Sequence, residues 1–70
     1  MTTMQIILNG ETVVTDAVTI QALLEEQEIN EENRGVAVAL NEAVVPRSAW
    51  ANIDLSEGDI VEIVQPFRGG

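Results

Sequence analysis

The sequence predicts a small α+β domain, in which a mixed sheet of four to five strands packs on one helix and a flexible C-terminal tail follows. Three observations carry this prediction. Short apolar runs with period-two alternation recur at 4–8, 36–40 and 60–65. After Thr19, Ile20, Leu23 and Leu24 are spaced by three and four, an apolar stripe at helical period. The chain has 70 residues, 46% of them apolar, yet only Trp50 and Phe67 are aromatic. That supports one aliphatic core and no second domain.

The first strand covers residues 4–8, with Met4, Ile6 and Leu8 on one face. Asn9-Gly10 follows, a strong hairpin signal because both central positions of a type I′ turn need positive φ. Residues 11–15 return as the second strand. Thr19 is placed to cap a helix running to Glu28, with Val18 and Leu23 as a hydrophobic staple. Ile20, Leu23 and Leu24 form its apolar stripe, while Glu25, Glu26 and Glu28 face outward. Acids at that end oppose the macrodipole, so the helix depends on packing against the sheet.

Residues 29–35 read as a polar loop closed by Gly35. Residues 36–40 make the third strand, with Val36, Val38 and Leu40 on one face and two alanines on the other. Asn41-Glu42 turns the chain into Ala43-Val44-Val45, and Pro46 stops the pairing because it has no donor. Ser48-Ala49-Trp50 makes one helical turn that seats Trp50 over the core. Ser56-Glu57-Gly58-Asp59 is a tight turn. The last strand is 60–65, with Val61 and Ile63 on one face and Ile60 and Val64 on the other. The order β-β-α-β-β-β places the first and last strands side by side and parallel in the middle of the sheet. Residues 1–65 then form the domain, and the tail at 66–70, "PFRGG", leaves from its best-anchored strand.

Composition narrows the function. The chain carries twelve acids and three arginines (Arg34, Arg47, Arg68), a net charge of -9. Such a surface repels phosphate backbones and argues against nucleic-acid binding. It favours either encounter with a basic partner surface or solubility alone. No apolar run is long enough to span a membrane, and the N-terminus has no basic region ahead of its apolar run. A soluble cytoplasmic protein is expected. There is no His, Cys, Lys or Tyr, so neither a disulfide nor a thiolate zinc site is available. Only carboxylates, a few Ser and Thr hydroxyls and the two chain termini remain to supply a titrating group or nucleophile, which argues against a self-contained enzyme. Asp54, Glu57 and Asp59 lack the spacing of a calcium loop. Gly10, Gly35 and Gly58 are isolated, so no phosphate-cradling loop is present and no cofactor or metal is expected on this chain. The closing Gly69-Gly70 is open to two readings: a frayed end, or a side-chain-free lead to a working carboxylate.

The stretches "MQIILNGE", "VTIQALLEE", "VAVALNEAVVPRSAW", "LSEGDIVEIV" and the terminal "GG" together resemble the ubiquitin-like β-grasp fold. Within it they are similar to the ThiS family of sulfur carriers in thiamin biosynthesis. The resemblance covers nearly the whole chain after the first three residues. Pro66-Phe67-Arg68 stand where the family commonly has small or aliphatic residues.

The resemblance implies that Gly70 is the modified residue. Its carboxylate would be adenylated and then converted to a thiocarboxylate that donates sulfur for thiazole formation. The implied partners are a ubiquitin-activating-like adenylyltransferase, a thiazole synthase and a sulfur-donor enzyme of the cysteine desulfurase type. ATP and Mg²⁺ would be used by the adenylating partner. Gly69, Arg68 and Phe67 would thread into the partner, and Ile7 and Val64 on the outward sheet face are candidate partner contacts. For Phe67 the other reading is folding back over the core edge, and for Arg68 a solvated charge. Other readings of the same tail are a carrier for molybdopterin or tRNA thiolation, a ubiquitin-like protein modifier, or a plain interaction domain.

Overall fold

A computed structural model of the protein describes residues 3–30 and 35–66. Five strands and one helix follow in the expected order: β1 Met4–Leu8, β2 Glu11–Thr15, α1 Ile20–Glu26, β3 Ala37–Leu40, β4 Ala43–Val45 and β5 Ile60–Val64. The sheet order is β2-β1-β5-β3-β4. Strand β5 is therefore central, parallel to β1 on one side and antiparallel to β3 on the other.

Each hairpin forms for a local reason. Asn9 and Gly10 have φ of 51° and 85°, the two positive values of a type I′ turn. That turn sets the β1/β2 register from Leu8–Glu11 to Met4–Thr15. Asn41 and Glu42 repeat the geometry between β3 and β4, with φ of 50° and 74°. The turn before β5 closes through the Asp59 amide, which donates to the Ser56 carbonyl at 3.0 Å. Gly58 supplies its positive φ of 85°.

Helix α1 begins as expected, with the Thr19 hydroxyl accepting from the Ala22 amide at 3.1 Å. It ends at Glu26, two residues earlier than the sequence suggests. Glu28 takes a left-handed φ of 60°. Its amide donates to the Glu25 carbonyl and the Ile29 amide donates to the Leu24 carbonyl. This is a Schellman closure in which Glu28 stands where glycine is usual. Val18, the outer residue of the expected staple, remains 61% exposed. Its backbone carbonyl instead accepts from the Leu55 amide. The outer strand limits also contract, with β3 starting at Ala37 rather than 36 and β5 ending at Val64 rather than 65.

The inner face of the sheet and the helix enclose a single core. Ile6, Ile20, Leu23, Leu24, Val38 and Val61 are fully buried, each contributing about 1.5–3 kcal/mol. Trp50 seals one end, as expected from sequence. The turn beneath it is a 3-10 segment at Arg47–Ala49, with Trp50 as its C-cap. The indole Nε1 donates to the Val45 carbonyl at 3.0 Å. The Arg47 guanidinium lies 4.9 Å from the indole ring centroid, a cation–π arrangement. Among the described residues no helix is long and apolar enough to cross a membrane.

Candidate functional site

The chemistry expected of this chain lies beyond β5, so the question is how that strand is held. Its backbone is engaged on both sides along its length. On the β3 side the register runs from Leu40–Val61 to Ala37–Val64. On the β1 side the Ile7 amide donates to the Asp59 carbonyl, and the Asn9 amide donates to the Val61 carbonyl, both at 2.9 Å. Strand β1 then stops, and the next peptide group of β5 would face an empty flank.

Asn9 fills it with its side chain. Asn9 Oδ1 accepts from the Ile63 amide at 2.8 Å, and Asn9 Nδ2 donates to the Ile63 carbonyl at 3.3 Å. A carboxamide carries one acceptor and one donor group side by side, so it imitates a missing strand residue. Asn41, at the other hairpin turn, does the corresponding job at the start of β5. Its Oδ1 accepts from the Ile60 amide at 2.9 Å, its own amide donates to the Ile60 carbonyl at 2.7 Å, and its Nδ2 reaches Asp59 Oδ1 at 3.1 Å. Sequence reasoning identified both asparagines only as turn formers. No local signal marks the second role, because each partner lies far along the chain.

The sheet face opposite the helix is apolar and open. Ile7 and Val64, expected there, are 36% and 63% exposed. They are joined by Ile60, which the alternation of the last strand puts on the same face as Val64, and by Val14 and Val44, which the sequence reading did not assign to the surface. Ile7 pairs with Ile60 in the β1/β5 register, and Ala37 pairs with Val64 across β3/β5. Ala39 lies between Glu62 and Val44. The exposed side chains thus form one patch across all five strands. Glu62 is its only charged strand residue.

Phe67, Arg68, Gly69 and Gly70 lie outside the described residues, as do residues 31–34 of the loop. Glu25, Glu26 and Glu28 are exposed as expected, and Glu26 accepts a hydrogen bond from the Thr15 hydroxyl at 2.6 Å. Among the described residues, no three acids converge in a way that could hold a metal ion.

Comparisons with known proteins agree with this architecture. The sequence profile of the ThiS family matches residues 3–70. The sulfur carrier protein ThiS of Escherichia coli (strain K12) is 34% identical over 68 residues, covering 96% of this chain and 100% of its own length. A thiazole synthase of Paramagnetospirillum magneticum is 38% identical over 68 residues. The chain spans 96% of itself in that match but only 20% of the thiazole synthase. Among solved structures, the crystal structure of a thiamine biosynthesis protein (ThiS) from Geobacter metallireducens superposes with a TM-score of 0.78. It is 27% identical and covers 96% of this chain and 100% of that one.

Proposed function

The chain belongs to the ThiS family, and from that premise we propose that it is a sulfur carrier for thiazole formation in thiamin biosynthesis. The observation that carries the reading is the match to the Escherichia coli sulfur carrier protein along that protein's entire length. The open sheet face and the braced central strand suit a protein that is handled by others.

The working group in this proposal is the carboxylate of Gly70. A carboxylate is a poor electrophile, since its charge repels nucleophiles and oxide is a poor leaving group. Attack of its oxygen on the α-phosphorus of ATP releases pyrophosphate and gives an acyl-adenylate. The terminal sulfur of the donor enzyme's persulfide then displaces AMP to give an acyl disulfide, and a thiol reductant cleaves its S–S bond, releasing the thiocarboxylate and the donor's thiol while the reductant is oxidised to a disulfide. Mg²⁺ in the adenylating partner offsets the phosphate charge during the first step. The product is a sulfur nucleophile at neutral pH, fitted to deliver sulfur to a thiazole synthase. That client is favoured over molybdopterin or tRNA thiolation by the thiazole synthase relative, since one protein of that name contains a segment like this chain.

Gly69 and Gly70 have no side chains to obstruct a narrow channel. Ordering such a tail costs about 1–2 kcal/mol per residue, which contacts elsewhere must offset. Ile7, Val64 and their neighbours on the open face are the proposed source, with Phe67 and Arg68 as further contacts.

Intact-mass analysis after incubation with ATP, Mg²⁺, a ubiquitin-activating-like adenylyltransferase, a cysteine-desulfurase-type donor, L-cysteine as the sulfur source and a thiol reductant tests the proposal. The expected result is a mass gain equal to one oxygen-for-sulfur exchange, localised to Gly70 and absent when Gly70 is deleted. No gain with a partner set that is active on another carrier refutes it.

A further inference from the structure

Two residues beyond the Ala37–Val64 pair of the β3/β5 register come Gly35 and Pro66, just outside both strands. They meet closely. A methyl group built on Gly35 would stand 2.5 Å from Cγ, 3.1 Å from Cδ and 3.3 Å from Cβ of Pro66. A side chain at Gly35 would meet the proline ring lying against it, which is one reason for glycine there.

The identity of the neighbour matters. A flexible side chain so close could swing away, but the pyrrolidine ring is bonded to its own backbone nitrogen and fixes φ near −65°. Moving the ring means moving the main chain of residue 66. Proline also biases the preceding residue, Gln65, toward extended conformations. The point where the chain leaves β5 is therefore stiff in its torsions and seated on a surface that only glycine provides. The last clamp on the β1 side is at Ile63, so Gly35 meets the chain three residues further on.

We propose that Gly35 and Pro66 are positioning residues that set the direction in which the chain leaves the sheet toward Gly70. The role rests on the carrier reading, in which a partner's nucleotide site must receive that end. Neither residue touches the reacting atoms. Loss of the seat leaves the carboxylate chemistry intact and makes its delivery less probable, so KM changes and kcat does not.

The test compares G35A, P66A and the G35A/P66A double variant of the full chain, using ATP–pyrophosphate exchange with the adenylating partner. Relaxation of the Gln65 amide in the free protein is measured alongside. The expected result is a rise in KM of about tenfold, equivalent to about 1.4 kcal/mol, for each single variant with kcat unchanged. The Gln65 order parameter falls in both. In the double variant the added methyl has no ring to strike, so its KM is no higher than that of P66A alone. Wild-type KM and Gln65 relaxation in P66A overturn the proposal, as does a double variant whose loss is the product of the two singles. Should G35A fail to fold, P66A, altered only at an exposed residue, decides by the same criteria. If the wild-type chain gives no exchange, the carrier reading fails, and Gln65 relaxation alone decides whether the seat orders the exit.

Discussion

Replacing Asn9 with glycine separates its two roles. Asn9 sits at φ 51°, which glycine adopts without strain, so the I′ turn survives as Gly-Gly. What disappears is the pair of side-chain hydrogen bonds to Ile63, at 2.8 and 3.3 Å. Each contributes about 0.5–1.5 kcal/mol, and a part-buried amide left without a partner adds to the loss. The greater unfolded-state freedom of glycine is offset by its ease at positive φ. The net expectation is a loss of about 2 kcal/mol. A chain of this size has roughly 3.5–10 kcal/mol of stability to lose it from. The melting temperature should fall by roughly 8–16 °C. Urea denaturation gives the free energy, and an unchanged slope confirms that the native state is otherwise intact. Hydrogen exchange at the Ile63 amide gives the location, because that proton loses its acceptor. A change below about 0.5 kcal/mol, or wild-type exchange at Ile63, refutes the view that Asn9 braces β5.

Two further predictions concern the helix end and the open face. Glu28→Gly should stabilise the protein by about 0.5–1 kcal/mol in urea melts, since Glu28 occupies a left-handed φ of 60° that disfavours a side chain, and sulfur loading should be unchanged. Val64→Lys changes a residue that is 63% exposed, so stability should move by less than about 1 kcal/mol, whereas KM for adenylation should rise at least about tenfold, the equivalent of about 1.4 kcal/mol, if the face is the docking surface.

The elements that local chemistry dictates were legible in the sequence. Asn9-Gly10 fixed the first hairpin, Thr19 the helix start, and the alternation in 60–65 the two faces of the last strand. The parallel pairing of first and last strands followed from their order around the helix. The helix end was not legible, because glycine normally marks a left-handed C′ position and here Glu28 occupies it. The outer face was read at Ile7, Val64 and, by alternation with Val64, Ile60. Adding Val14 and Val44 needs the register across all five strands, and no window of sequence contains that. The clamp by Asn9 on Ile63 spans 54 positions, so a turn signal was all the local sequence could give. The expectations for Phe67 to Gly70 lie outside the described residues.

The middle position of β5 has a consequence for the proposed partner. Asn41 fixes the strand at Ile60, Asn9 fixes it at Ile63, and Gly35 meets it at Pro66. From Pro66 only four residues remain to Gly70, and a fully extended chain gains at most about 3.3–3.6 Å per residue, roughly 14 Å in all. An adenylating site that acts on Gly70 must therefore lie within roughly 14 Å of wherever it receives Pro66. On the free protein, the open apolar face adjoins that exit through Val64. A partner that grips this face, with Phe67 and Arg68 as further contacts, would hold Gly70 within reach without gripping the two glycines. That division of labour would let the last two residues be glycine: affinity comes from the sheet and the residues before them, and the end need only be thin.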